Sequence, residues 1–183
     1  MFSLMLKSFD MSSERGLSAS SPPPATEPPG VERKRVRPKI GLALGAGAAR
    51  GWSHIGVLRE FAEHGIFPDV IAGTSIGAVV GGCYAAGKLD AVEKFARSLT
   101  KRRVFAMMDL SFSGASLITG ERLRAALEQE LKGFQIEDLP IPFAAVATEV
   151  AAGHEIWLQR GPLDIAIRAS YALPGIFEPV KIG

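Results

Sequence analysis

The chain has 183 residues, 47% of them apolar, with 20 glycines, 12 prolines and a formal net charge of +2. That length carries one domain with a sizeable core, and the apolar content excludes a wholly disordered protein. The charge is too small to call for a nucleic-acid partner, and the lone Cys83 excludes an internal disulfide, in keeping with a reducing compartment.

Residues 1–38 read as a disordered leader. Ser18 to Pro24 and Pro28-Pro29-Gly30 are rich in serine and proline, and Arg33-Lys34-Arg35 follows. Lys7, Asp10, Glu14 and Arg15 interrupt any apolar run of signal-peptide length. The composition changes at Pro38, so the folded domain is expected over residues 39–183. Two basic groups, Arg33 to Lys39 and Lys101-Arg102-Arg103, are expected as solvated tail and loop. The other reading is attraction to anionic lipid headgroups, at about 1 kcal/mol per basic residue.

From Lys39 the pattern alternates. Ile40 to Leu44 reads as a buried strand ending in a Gly/Ala turn. Gly51 to His64 is helical, with Ile55, Leu58 and Ala62 on one face, and Gly65 and Pro68 stop it. Val70 to Ala72 is a second strand running into Gly73-Thr74-Ser75-Ile76-Gly77 and a helix to about Ala86. Asp90 is placed as the cap of a helix to Leu99, and a Met- and Phe-rich loop is expected from Phe105 to Ile118. Thr119 then caps a helix over 120–131. Phe143 to Thr148 and Glu155 to Leu158 are strands, and Pro162 opens a helix to about Ala169. This alternation predicts a mainly parallel sheet covered on both faces. The 18 uncharged residues between Asp69 and Lys88 could suggest a membrane span, but their Gly/Ala content makes insertion poor.

Two turns carry the chemistry. Gly73-Thr74-Ser75-Ile76-Gly77 matches G-x-S-x-G, a sharp strand-to-helix bend that lifts a serine into strained geometry at a helix N-terminus. Gly73 and Gly77 are needed there because a Cβ would collide with neighbouring chain. Gly45-Ala46-Gly47-Ala48-Ala49-Arg50-Gly51 lies between a strand and a helix, where backbone amides can hold an oxyanion. The rival reading is a dinucleotide loop, with Asp69 as the ribose acid. Arg50 stands where the third glycine of G-x-G-x-x-G belongs, and Asp69 precedes its strand, both against it.

Taken together, Ile40 to Gly51, His54-Ile-Gly-Val-Leu58, Gly73 to Gly77, Val146-Ala-Thr-Glu149 and Ala166 to Phe177 carry a resemblance over residues 38–183. The chain resembles the patatin-like phospholipases, and within them the bacterial branch related to the neuropathy target esterases. The resemblance implies a three-layer α/β/α fold with a mainly parallel central sheet, incomplete here at the C-terminus. It implies a serine lipid acyl hydrolase with a Ser–Asp dyad and an acyl-serine intermediate, acting on phospholipid or lysophospholipid without metal or cofactor. The implied setting is cytoplasmic, with the anionic inner face of the membrane as a peripheral contact. Ser75 would be the nucleophile, and Gly45, Ala46, Gly47, Ala48 and Arg50 the oxyanion loop. Where the family often has four consecutive glycines, Ala46 and Ala48 stand here. They keep their amides, and the hole is expected to survive if both have negative φ.

The family's aspartate lies in an Asp-Gly-Gly or Asp-Gly-Ala motif just after the strand that Glu178 to Gly183 is expected to begin. The dyad's acid is therefore expected to be missing from these 183 residues, which alone should be nearly inactive; a non-catalytic fragment or lipid-binding remnant is the other reading. A replacement triad of Ser75, Asp109 or Asp138, and His154 has a known order but no support in its spacing. His54 is read as structural or substrate-side, His64 as remote from the site, and Arg168 and Ser170 as structural.

Overall fold

In the computed structural model, four strands form one sheet in the order β1-β2-β3-β4; residues 37–99, 114–174 and 177–182 are described. The strands are β1 (Gly41–Leu44), β2 (Val70–Thr74), β3 (Phe143–Thr148) and β4 (Glu155–Leu158). β1 pairs with β2 and β2 with β3 in parallel, while β3 and β4 form an antiparallel hairpin. Five α-helices accompany them among the described residues: α1 (Ser53–Glu63), α2 (Ile76–Ala85), α3 (Leu89–Ser98), α4 (Gly114–Leu131) and α5 (Leu163–Tyr171). A 3-10 turn, Ala48–Trp52, leads into α1. The architecture is mixed α/β, as the alternation of strands and helices predicts.

Helix α2 is the centre of the domain. Nine of its residues, Ile76 to Cys83 and Ala85, are buried, which is the signature of a helix surrounded on every side. The 18-residue uncharged stretch is therefore a strand and a short core helix. No helix among the described residues is long and apolar enough to cross a membrane.

Small residues let α2 lie close to the sheet. A Cβ on Gly81 would come within 3.0–3.4 Å of Ile71, Leu44 and Phe143, and one on Gly82 would meet Ile167 of α5 at 2.6 Å. Helices α2 and α5 thus share the face bearing Leu44, Ile71 and Phe143. Leu58, Ile71, Leu131, Leu163 and Ile167 are fully buried in this core, each contributing about 1.5–3 kcal/mol by transfer from water.

The opposite face is different. It carries Ala43, Val70 and Trp157, and the last two remain 47% and 49% exposed. The described residues supply the sheet and the helical layer on its first face. The strand order gives the reason. Both parallel crossovers step the same way across the sheet, and right-handed connections then put their helices on one side.

Several boundaries differ from expectation. Helix α3 is capped by Lys88, and Asp90 lies inside its first turn, where its charge favours the positive helix end. Helix α4 starts at Gly114, so 114–118 are helical and Thr119 is no cap; Gly120 only weakens that helix, by about 1 kcal/mol. Pro162, with extended ψ of 124°, is the cap of α5 instead of its first residue. Glu178 to Ile182 form no strand, so among the described residues β1 and β4 are the outer strands of the sheet. The leader to Val36, the Lys101-Arg102-Arg103 group and Phe105 to Ser113 lie outside the described residues.

Cys83, on α2, is 2% exposed, and burial pushes its thiol up to about 12, with Glu130 adding to the rise. Thiolate is the reactive form. The folded protein is expected to leave Cys83 untouched by a thiol-specific disulfide reagent at pH 8, with full reaction in denaturant. Rapid native-state labelling would disprove the inert assignment.

Candidate active site

Ser75 sits where β2 turns into α2, as the residue that caps the helix, with φ 55° and ψ −121°. A positive φ at a non-glycine residue costs about 1–3 kcal/mol and persists only where its surroundings enforce it. Here glycines allow the bend. A Cβ on Gly73 would lie 2.5 Å from Gly77 O and 2.6 Å from Ala78 Cα. A Cβ on Gly77 would lie 2.0 Å from Leu44 O and 2.6 Å from Gly45 O. The first helical amides, those of Ala78 and Val79, bond to Ser75 O at 2.9 and 3.0 Å. Those of Ile76 and Gly77 come ahead of that ladder, at the positive end of the helix.

The Gly45–Gly51 loop is clamped against the same helix start. Gly77 touches its beginning, and a Cβ on Gly51 would run into Ile76 at 2.4 Å. His54 Nε2 donates to Gly45 O at 2.9 Å, which fixes the tautomer and leaves that nitrogen no role as a base. Because a trans peptide holds its C=O and N–H in opposite directions, the same bond turns the Ala46 amide away from His54.

Two loop residues depart from the sequence reading. Ala48 has φ 45°, so negative φ at both alanines does not hold; this conformation costs an L-residue roughly 1–2 kcal/mol and explains why glycine suits the position. Arg50 donates its amide to Gly47 O at 2.9 Å, closing the 3-10 turn. That amide is spent, and Arg50 offers only an exposed charge. The amides of Gly45, Ala46, Gly47 and Ala48 precede it.

The remaining candidates scatter. His64 ends α1, with Nδ1 2.9 Å from Glu60 O. His154 is exposed in the β3–β4 turn, Asp138 lies in a short 3-10 turn, and Asp109 is outside the described residues. Asp69 accepts from Ile40 N at 2.7 Å and pairs with Arg37 at 2.6 Å, which latches the entry to β1. Arg37 is correspondingly a paired charge. The described residues contain no cluster of metal-ligating side chains.

Spacing alone does not reveal Ser170. Its Oγ accepts from Ser75 N at 2.8 Å and donates to Val146 O at 2.6 Å, across 95 residues of chain. At the same end of the sheet, a cavity of about 590 Å³ opens between β3, β4, α5 and the segment 179–182, lined by Ala147, Val150, Ile156, Ala169 and Ile182.

The family model described as patatin-like phospholipase matches residues 42–183. An uncharacterized NTE family protein of Mycobacterium tuberculosis is 48% identical over 145 residues, covering 79% of this chain and 40% of that protein. Patatin-like phospholipase domain-containing protein 6 of Homo sapiens is 35% identical over 146 residues, covering 77% of this chain and 10% of that one. The chain therefore spans two-fifths or less of the length of these relatives. A solved structure, the type III effector protein ExoU, matches with a TM-score of 0.46 at 13% identity, covering 76% of this chain and 40% of that one. With its family model matched from the first strand onward and relatives of the NTE family at 48% identity, the chain belongs to the patatin-like phospholipase family.

Proposed function

We propose that these residues form the nucleophile and oxyanion half of a serine lipid acyl hydrolase. The observation that carries it is Ser75 held at positive φ, between a strand end and a helix N-terminus, with the glycine loop packed against the same bend. Ser75 Oγ attacks the ester carbonyl carbon while a base removes its proton, and the amides of Gly45, Ala46 and Gly47, which precede the left-handed turn at Ala48, receive the negative oxygen. The alcohol leaves with a proton returned from the base. Water then cleaves acyl-Ser75 and releases a fatty acid.

The substrate is a phospholipid or lysophospholipid, met at an anionic membrane surface. The register sets Thr74 opposite Val146, so Ser75 is level with Ala147, which lines the apolar cavity. An acyl chain suits such a lining. The base is the aspartate that the family resemblance implies.

A fluorophosphonate probe is the direct test. In the full-length natural polypeptide it should modify Ser75 stoichiometrically. Absence of labelling in the natural protein would refute the nucleophile.

A further inference from the structure

The parallel ladder between β2 and β3 runs on a period of two residues. Ile71 N bonds to Pro142 O at 2.9 Å, and Ile71 is paired in register with Phe143. Continuing that pattern brings Gly73 N to Ala144 O and then Ser75 N to Val146 O. The last bond is not direct. The Ser170 hydroxyl stands between the two groups, taking the proton of Ser75 N–H at 2.8 Å and giving its own to Val146 O at 2.6 Å.

A hydroxyl has one proton to donate, so the polarity of this bridge is fixed: the proton goes to the carbonyl, and a lone pair faces the Ser75 amide. The bend at Ser75 lifts that residue out of the ladder, and the inserted oxygen fills the space with both polar groups satisfied. Three elements meet there: the end of β2, the body of β3 and the last turn of α5. All three partners are half-buried.

Resting on the reading of Ser75 as nucleophile, we propose that Ser170 is its positioning residue. The hydroxyl sets how far Ser75 is displaced from β3, holds the peptide at its positive φ, and keeps the Ser75 amide from competing for the oxyanion. Ser170 touches no reacting atom.

Three variants test this in the full-length natural polypeptide. Ser170→Ala removes the bridge, Ser170→Cys keeps a side chain of similar shape with a weak acceptor, and Ser170→Thr retains the hydroxyl. Two readouts are taken well below each variant's melting temperature: hydrogen exchange of the Ser75 amide, and fluorophosphonate labelling resolved into binding and inactivation rate.

For Ser170→Ala and Ser170→Cys, amide exchange should quicken about tenfold or more, as expected when a buried amide loses its partner. The inactivation rate should fall by a similar factor with probe binding unchanged, and Ser170→Thr should restore both. If Ser170→Ala does not fold, Ser170→Cys decides. Exchange and labelling at wild-type rates in a folded variant lacking the hydroxyl would overturn the proposal. If wild type is not labelled, the hydrolase reading fails, and the exchange rates alone still judge the bridge.

Discussion

Ser75→Ala is expected to lower ester turnover by the full-length natural polypeptide on the order of 10⁶-fold, the scale on which serine hydrolases lose kcat with their nucleophile. Fluorophosphonate labelling should vanish with it. The structure makes this a clean deletion. Ser75 makes no side-chain capping bond to α2, and its amide and carbonyl contacts belong to the backbone, which alanine keeps. Stability should therefore change by no more than about 1 kcal/mol, the range for a substitution that removes no packing. A folded Ser75→Ala protein retaining even a hundredth of wild-type turnover would mean that another group attacks the ester. No histidine among the described residues offers that alternative: His54 is held by Gly45 O, His64 lies at the far end of α1, and His154 is on an exposed turn.

The parts of this site that could be read from sequence are those written locally. A strand, a glycine, a serine and a second glycine within one bend announce their geometry, and Gly73 answers to a steric demand from Gly77 and Ala78 a few residues on, whereas Gly77 answers to Leu44 and Gly45 across the fold. The strands of the β3–β4 hairpin could be read for the same reason. What escaped is long-range. Ser170 reaches Ser75 across 95 positions, and nothing in the local spacing of a helix end forecasts that its hydroxyl replaces a ladder carbonyl. That the described helices gather on one sheet face follows from strand order, which alternation does not specify. Loop detail was also hidden. Whether Ala48 adopts positive φ, and whether Arg50 spends its amide on Gly47, are settled by how the 3-10 turn closes, not by residue type. The start of α4 was obscured because Thr119-Gly120 looks like a boundary while the helix runs through it.

Gly77→Ala is expected to be the most damaging single methyl addition among the described glycines. Its new Cβ would stand 2.0 Å from Leu44 O, 2.5 Å from Leu44 C and 2.6 Å from Gly45 O. All three are backbone atoms, so no rotamer change relieves the clash; either α2 retreats from β1 or the oxyanion loop is pushed away. Gly81 shows the contrast, since its new neighbours at 3.0–3.4 Å are side chains that can shift. Overpacking of a rigid site costs upwards of about 3 kcal/mol. Gly56→Ala is the control: it lies in α1 with nothing within 4 Å of the added carbon, and should stabilise by about 0.5–1 kcal/mol through backbone entropy. Thermal unfolding of the two variants reads the difference. Whatever fraction of Gly77→Ala stays folded should also lose fluorophosphonate labelling, because the clash falls between the helix start that follows Ser75 and the beginning of the proposed oxyanion loop. Equal melting temperatures for Gly77→Ala and wild type would show that the loop and the helix start are not in the contact on which the oxyanion assignment depends.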